Sequence, residues 1–157
     1  MMEIRAAAGE GDMDRIRALL REYAALLGVD LCFQNFEEEL AGLPGRYAAP
    51  RGELLIAMSG GESAGCIALR RFREEDRICE MKRLYVRPPF RGSGLGRRLA
   101  VEIIDAARQR GYKRMRLDTL PQQVEAHRLY ESLGFYDIPA YGDFPIAGSR
   151  FMELIVG

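Results

Sequence analysis

The chain has 157 residues and 48% hydrophobic content, which suits one globular domain that buries roughly 70% of the surface its unfolded chain exposes. Lys plus Arg and Asp plus Glu stand equal at 23 each, so no global field favours nucleic acid or an anionic membrane as partner. No apolar run approaches the ~18 residues of a membrane span, and the start Met1–Arg5 is charged early with no signal-peptide character, so a cytoplasmic location is expected. Glu3–Ala7 reads as a short first strand. Asp12 is placed to cap a helix with Ile16, Leu19, Leu20, Tyr23, Leu26 and Leu27 on one stripe, and Gly28 to end it. Asn35 reads as the cap of a short helix over Phe36–Leu40. Leu43–Gly52 is a loop broken by Pro44-Gly45 and Pro50.

Glu53–Met58 and Ala64–Leu69 are strands joined by a hairpin turn at Gly60-Gly61. Both are apolar on both faces, which suits a central sheet covered by helices. The charged segment 71–77 reads as a solvated turn. Ile78–Val86 is the next strand, stopped by Pro88-Pro89. Leu95, Leu99, Ile103 and Ala106 mark a helix over Gly94–Arg110, ended by Gly111. Arg114–Thr119 is a strand. Pro121 opens a helix with Ala126, Leu129, Tyr130 and Leu133 on one face, ended by Gly134. Phe135–Ile138 is a short strand, Tyr141–Gly148 a loop, and Arg150–Val156 a closing strand. The order β-α-α-β-β-β-α-β-α-β-β implies a single α/β (α+β) domain with a mixed sheet.

The informative stretch is strand, glycine loop, helix, from Glu80 to Gly96. The first turn of a helix carries backbone N–H groups with no intrahelical partner and the positive end of the macrodipole. Glycines at 92, 94 and 96 remove the Cβ atoms that would hold a ligand away from those groups, so an anion, and above all a phosphate, is the expected guest. Arg91 adds a full charge at the mouth. The spacing is not that of the dinucleotide fingerprint, and no Walker lysine follows. What fits is R-x-x-G-x-G at Arg91, Gly94 and Gly96.

With the L-Y-V strand before it and L-Y-E-S-L-G-F downstream, this pattern resembles the GNAT superfamily of N-acetyltransferases, in which the loop holds the pyrophosphate of acetyl-CoA. The resemblance runs end to end. It implies a GNAT fold, with a mostly antiparallel sheet of about six to seven strands and about four helices. It also implies acetyl-CoA as co-substrate, no metal, and a small-molecule or peptide amine as acceptor. Backbone groups of Leu84, Tyr85 and Val86 would run beside the pantetheine arm. Arg91, Gly92, Ser93, Gly94, Leu95 and Gly96 would meet the pyrophosphate, and Arg97 is either a further phosphate contact or a solvated helix residue. Gln123 stands where the family usually has an asparagine that contacts CoA. The acceptor would lie under Val29–Glu39 and Tyr141–Ser149, which hold Asp30, Gln34, Glu37, Tyr141, Asp143 and Phe144. Dimers occur among similar proteins, and the sequence leaves oligomeric state open.

Acetyl transfer to an amine needs a base, because only about one alkyl ammonium in a thousand is deprotonated at pH 7, and an acid for the departing thiolate. Glu80, on the central strand, is the candidate base, with Asp118 its rival. Strict alternation would group Glu80 with Lys82, Leu84 and Val86, opposite Met81, Arg83 and Tyr85. Tyr130 matches the family tyrosine that points at the CoA sulfur and is the candidate acid. His127, the single histidine, reads as structural. Cys32, Cys66 and Cys79 have neither metal spacing nor disulfide arithmetic and read as small buried hydrophobes, so direct transfer is expected rather than an acetyl-cysteine intermediate. A non-catalytic acyl-CoA-binding module and transfer of a larger acyl group are the alternatives.

Overall fold

Residues 53–71 turn back on themselves at Gly60 and Gly61, both with positive φ, and the hairpin they form is the centre from which a seven-stranded sheet extends. The computed structural model describes residues 2–28, 35–75, 77–142 and 146–157. The elements are β1 (Met2–Ala6), α1 (Gly9–Leu27), α2 (Phe36–Ala41), β2 (Glu53–Ser59), β3 (Glu62–Arg71), β4 (Ile78–Val86), α3 (Leu95–Gln109), β5 (Arg114–Thr119), α4 (Val124–Ser132), β6 (Tyr136–Asp137) and β7 (Arg150–Ile155). The sheet order is β1-β2-β3-β4-β5-β7-β6, antiparallel everywhere except between β4 and β5. This is the mixed, mostly antiparallel sheet with four helices that the sequence implies. No helix among the described residues is long and apolar enough to cross a membrane.

The sheet is covered on both faces, so β2 and β3 are buried on both. Leu99 and Ile103 of α3 are fully buried beside Ile67, Leu69 and Met115, each contributing about 1.5–3 kcal/mol through burial. On the other face Ile16 and Leu20 of α1 pack with Phe36 and Leu40 of α2 against Ile56, Cys66 and Tyr85.

Several local expectations need correction. Asp12 does not precede α1. It sits inside the first turn, buried, where it accepts the Ala8 N–H at 2.9 Å and pairs with Arg5 and Arg15. Asn35 stands at the start of α2 in the left-handed region (φ 57°) without a side-chain capping bond. Pro121 lies in a turn and α4 begins at Val124, because the Gln123 amide oxygen takes the Leu120 N–H at 2.8 Å and holds residues 120–123 out of the helix. Phe72 is buried rather than solvated, edge-on to Tyr141 with Arg116 over its ring.

The correction with the largest consequence is in β4. Opposite Ile67 of β3 stand two residues, Arg83 and Leu84, and Arg83 has φ 63°. This β-bulge resets the alternation. Leu84 and Val86 therefore pack with Cys79 and Met81 on the α3 face, while Arg83 and Tyr85 face α1 and α2. The expected grouping of Glu80 and Lys82 with Leu84 and Val86 is overturned.

Candidate active site

β4 and β5 pair only at Ile78–Glu80 and Arg114–Arg116, and beyond that they diverge. On the β5 side, residues 81–86 have no strand partner among the described residues. The Arg87 N–H goes to Ala64 of β3 at 2.9 Å. Since successive residues of a strand direct their N–H and C=O to opposite edges, Val86 and Leu84 direct theirs into the opening wedge. Gly65 makes the close approach of β3 possible here, for a Cβ there would meet the Tyr85 carbonyl oxygen at 2.5 Å.

Two cavities meet in the wedge. The larger, about 660 Å³, runs from the glycine loop along β4 and is walled by the start of α4 and the end of α1. Arg91, Gly92, Gly94, Leu95 and Gly96 line its mouth, with Leu84, Tyr85 and Val86 along its floor. Gly92 and Gly94 have φ of 81° and 83°, which a side chain resists, and a Cβ on either would project into open space. Gly94 is the N-cap of α3, so the first-turn amides open onto this mouth. The Arg91 Nε donates to the Val86 carbonyl at 2.9 Å, with the guanidinium over the Tyr85 ring. Ser93 and Arg97 are not among the lining residues: the Ser93 hydroxyl donates to the Phe90 carbonyl and Arg97 reaches Ser132 of α4 at 2.8 Å.

The smaller cavity, about 100 Å³, lies deeper, between β4 and β5, and holds Tyr130, Lys82, Arg83, Leu117 and Asp118. Tyr23, Leu27, Leu84, Gln123 and Ala126 line both spaces and form the neck between them. Tyr130 is 7% exposed, and burial, aided by Tyr23 and Asp118, pushes its phenol well above the usual range, so it is a neutral donor at any working pH. Gln123 accepts from Leu120 and Thr119, and its amide lies 3.5 Å from the Tyr23 hydroxyl.

Glu80 lines neither cavity. It is 5% exposed, paired with Arg70 (Nη2 at 2.9 Å, Nε at 3.0 Å), and accepts the Tyr141 hydroxyl at 3.0 Å. Thus Tyr130 and Asp118 share one cavity, and Glu80 sits in an ion pair one strand position below it. Asp118 is 3.6 Å from Lys82. His127 shares its Nε2 with the Leu120 carbonyl at 2.9 Å, a structural contact. Asp30, Gln34, Asp143 and Phe144 lie outside the described residues, as does Cys32. Sequence reasoning missed Tyr23 as a site residue, because its place on the apolar stripe of α1 reads as core, and it gave Lys82 no role.

The sheet, the wedge between β4 and β5 and the glycine-capped start of α3 are the arrangement that the GNAT resemblance implies. The chain belongs to the acetyltransferase (GNAT) family, whose model matches residues 14–135. It is similar to an uncharacterized N-acetyltransferase of Schizosaccharomyces pombe, 42% identical over 144 residues that cover 91% of this chain and 88% of the relative. It is also similar to the N-acetylaspartate synthetase of Danio rerio, 32% identical over 111 residues, 70% of this chain and 39% of that protein. Among solved structures, an acetyltransferase of Salmonella typhimurium described with its cofactor acetyl-CoA superposes with a TM-score of 0.75 at 27% identity, covering 100% of this chain and 95% of the other.

Proposed function

We propose that the protein moves an acetyl group from acetyl-CoA to the primary amine of a small molecule or peptide, by direct transfer in a ternary complex. The observation that carries this reading is the glycine-lined groove opening through the Tyr23–Gln123 neck onto the cavity that holds Tyr130 and Asp118. The diphosphate would take the amides of residues 92–96 beside Arg91, and the pantetheine amides would meet the backbone of Leu84 and Val86. The thioester would then end at Tyr130. The N-acetylaspartate made by the zebrafish relative brings amino acids into the range of acceptors.

The residues divide the proton traffic. An acceptor ammonium gives one proton to Asp118, which we prefer to Glu80 because it shares the cavity with Tyr130. The freed lone pair forms the N–C bond at the thioester carbonyl carbon, and the C–S bond breaks. The second proton leaves nitrogen as the amide forms and reaches sulfur through the Tyr130 hydroxyl. With its pKa above that of a thiol, the phenol passes this proton on rather than ending as phenolate. Cys66 and Cys79 are buried, and burial pushes the Cys66 thiol up to about 12, which argues against an acetyl-enzyme at either.

The test is CoA release from acetyl-CoA over a panel of polyamines, amino acids and short peptides. Turnover on at least one class is expected. Tight acetyl-CoA binding without turnover on any of them would favour a non-catalytic acyl-CoA-binding module and overturn the proposal.

A further inference from the structure

Among the described residues, the ion pair whose two members both line the small cavity is Lys82–Asp118. Arg70–Glu80, Arg83–Glu39 and Arg116–Glu153 are hydrogen-bonded at 2.8–3.0 Å. Lys82 and Asp118 approach only to 3.6 Å and make no hydrogen bond to each other. The Lys82 side chain is 11% exposed, and among the described residues its ammonium has no hydrogen-bond acceptor. The Lys82 Nζ is not a buried atom, so its three donors are open to a ligand that enters the cavity. Asp118, a third exposed, faces the same small cavity, and the Tyr130 phenol is there too.

Resting on the acetyl-transfer reading above, we infer that the acceptor is an α-amino acid, its carboxylate held by Lys82 and its amine by Asp118. The charge order decides this. A plain amine arriving at Asp118 brings a second cation against Lys82, with the Arg83 guanidinium lining the same space. A zwitterion brings an anion for Lys82 and a cation for Asp118, adding no net charge to the cavity. Binding replaces one loose pair by two hydrogen-bonded ones, and it frees Asp118 from Lys82 as the ammonium arrives. The amino nitrogen then stands beside the carboxylate that takes its proton, on the cavity wall shared with Tyr130. The Glu39 carboxylate, closed on Arg83 by two hydrogen bonds, is not available to compete for the amine.

The experiment measures acetyl-CoA turnover on matched acceptors: the L-amino acids, their α-amides, and the amines that lack the carboxylate. At least one L-amino acid is expected to exceed both of its analogues in kcat/KM by about tenfold or more, the scale of one charge-assisted hydrogen bond. Lys82→Met should raise KM for that amino acid by about the same factor, with a smaller change in kcat, and remove the preference over the amide. Lys82→Arg should restore the preference, and acetyl-CoA binding should be unchanged in both. Equal or faster turnover of carboxylate-free amines by the wild-type protein overturns the inference and leaves acetyl transfer standing. An unchanged KM in a folded Lys82→Met protein also overturns it. Absence of turnover on every acceptor, with acetyl-CoA bound, counts instead against acetyl transfer itself and removes the inference with it.

Discussion

Gly94→Ala separates the stability of the glycine loop from its use. Gly94 caps α3 with φ 83°, and a Cβ there meets nothing within 4 Å. The folded protein therefore has no clash to relieve, and the cost is that of an L-residue in the left-handed region, about 1 kcal/mol. For a chain of this length that lowers Tm by about 2–4 °C. Gly61, at the β2–β3 hairpin, has φ 87° and equally open surroundings, so Gly61→Ala should lose about the same stability and serves as a matched control. Binding should split the two. On the proposed acetyl-CoA reading, the methyl group at Gly94 would occupy space through which phosphate oxygens reach the first-turn amides. Losing one hydrogen bond to a charged acceptor costs about 1.5–3 kcal/mol, or roughly a 10- to 150-fold rise in Kd for acetyl-CoA. Calorimetric titration with acetyl-CoA, alongside thermal melts, reads both quantities. If Gly94→Ala binds acetyl-CoA as tightly as Gly61→Ala does, the loop is a turn and not a phosphate site.

Three further outcomes are expected. Tyr130→Phe keeps the ring packing on Phe135 and should lower kcat about tenfold or more with acetyl-CoA binding unchanged; an unchanged kcat removes the phenol from the reaction. Asp118→Asn should cost roughly 100-fold or more in kcat and little stability, whereas Glu80→Gln should act mainly on stability, by about 2 kcal/mol, since it strips Arg70 of its charged partner; the reverse ranking in kcat would make Glu80 the base. Asp12→Asn should destabilise by about 2 kcal/mol at pH 7. Hydrogen bonds from Arg5 and the Ala8 amide hold the Asp12 carboxyl well below the usual range, so the folded state binds its proton less readily than the unfolded chain does. Its contribution is thus complete above the ordinary value of 3.8 and fades as pH falls below it. Melts at pH 7 and pH 3 should show the gap between wild type and variant narrowing at pH 3, and an equal gap would refute the assignment.

Periodic and punctuated segments were readable. The Leu95–Ala106 stripe and the Gly111 stop located α3, and β4 and β5 were bounded to the residue. Places where a side chain overrides a local rule were not. Proline at 121 reads as a helix opener, yet Gln123 bonds back to Leu120 and delays α4. The bulge at Arg83 carries no glycine to announce it. The surroundings of Glu80 come from Arg70 on the neighbouring strand and from Tyr141, 61 positions away, so no window around Glu80 contains them. The glycine loop before α3 was legible because glycine spacing is a local requirement. That Tyr130 and Asp118 line one cavity depends on how far β4 and β5 diverge, which is a property of the whole sheet.

The bulge in β4 has a consequence for how this strand tolerates editing. Its two halves are read in opposite frames, upstream charges toward one side and downstream aliphatics toward the other. Removing the single residue at 83 would restore plain alternation, with Leu84 and Val86 still beside Cys79 and Met81 and Tyr85 still on the opposite face, and would take away the buried Arg83–Glu39 pair. A one-residue deletion there is therefore expected to keep the aliphatic face of the strand in place and to cost mainly the contacts that Arg83 makes with Glu39.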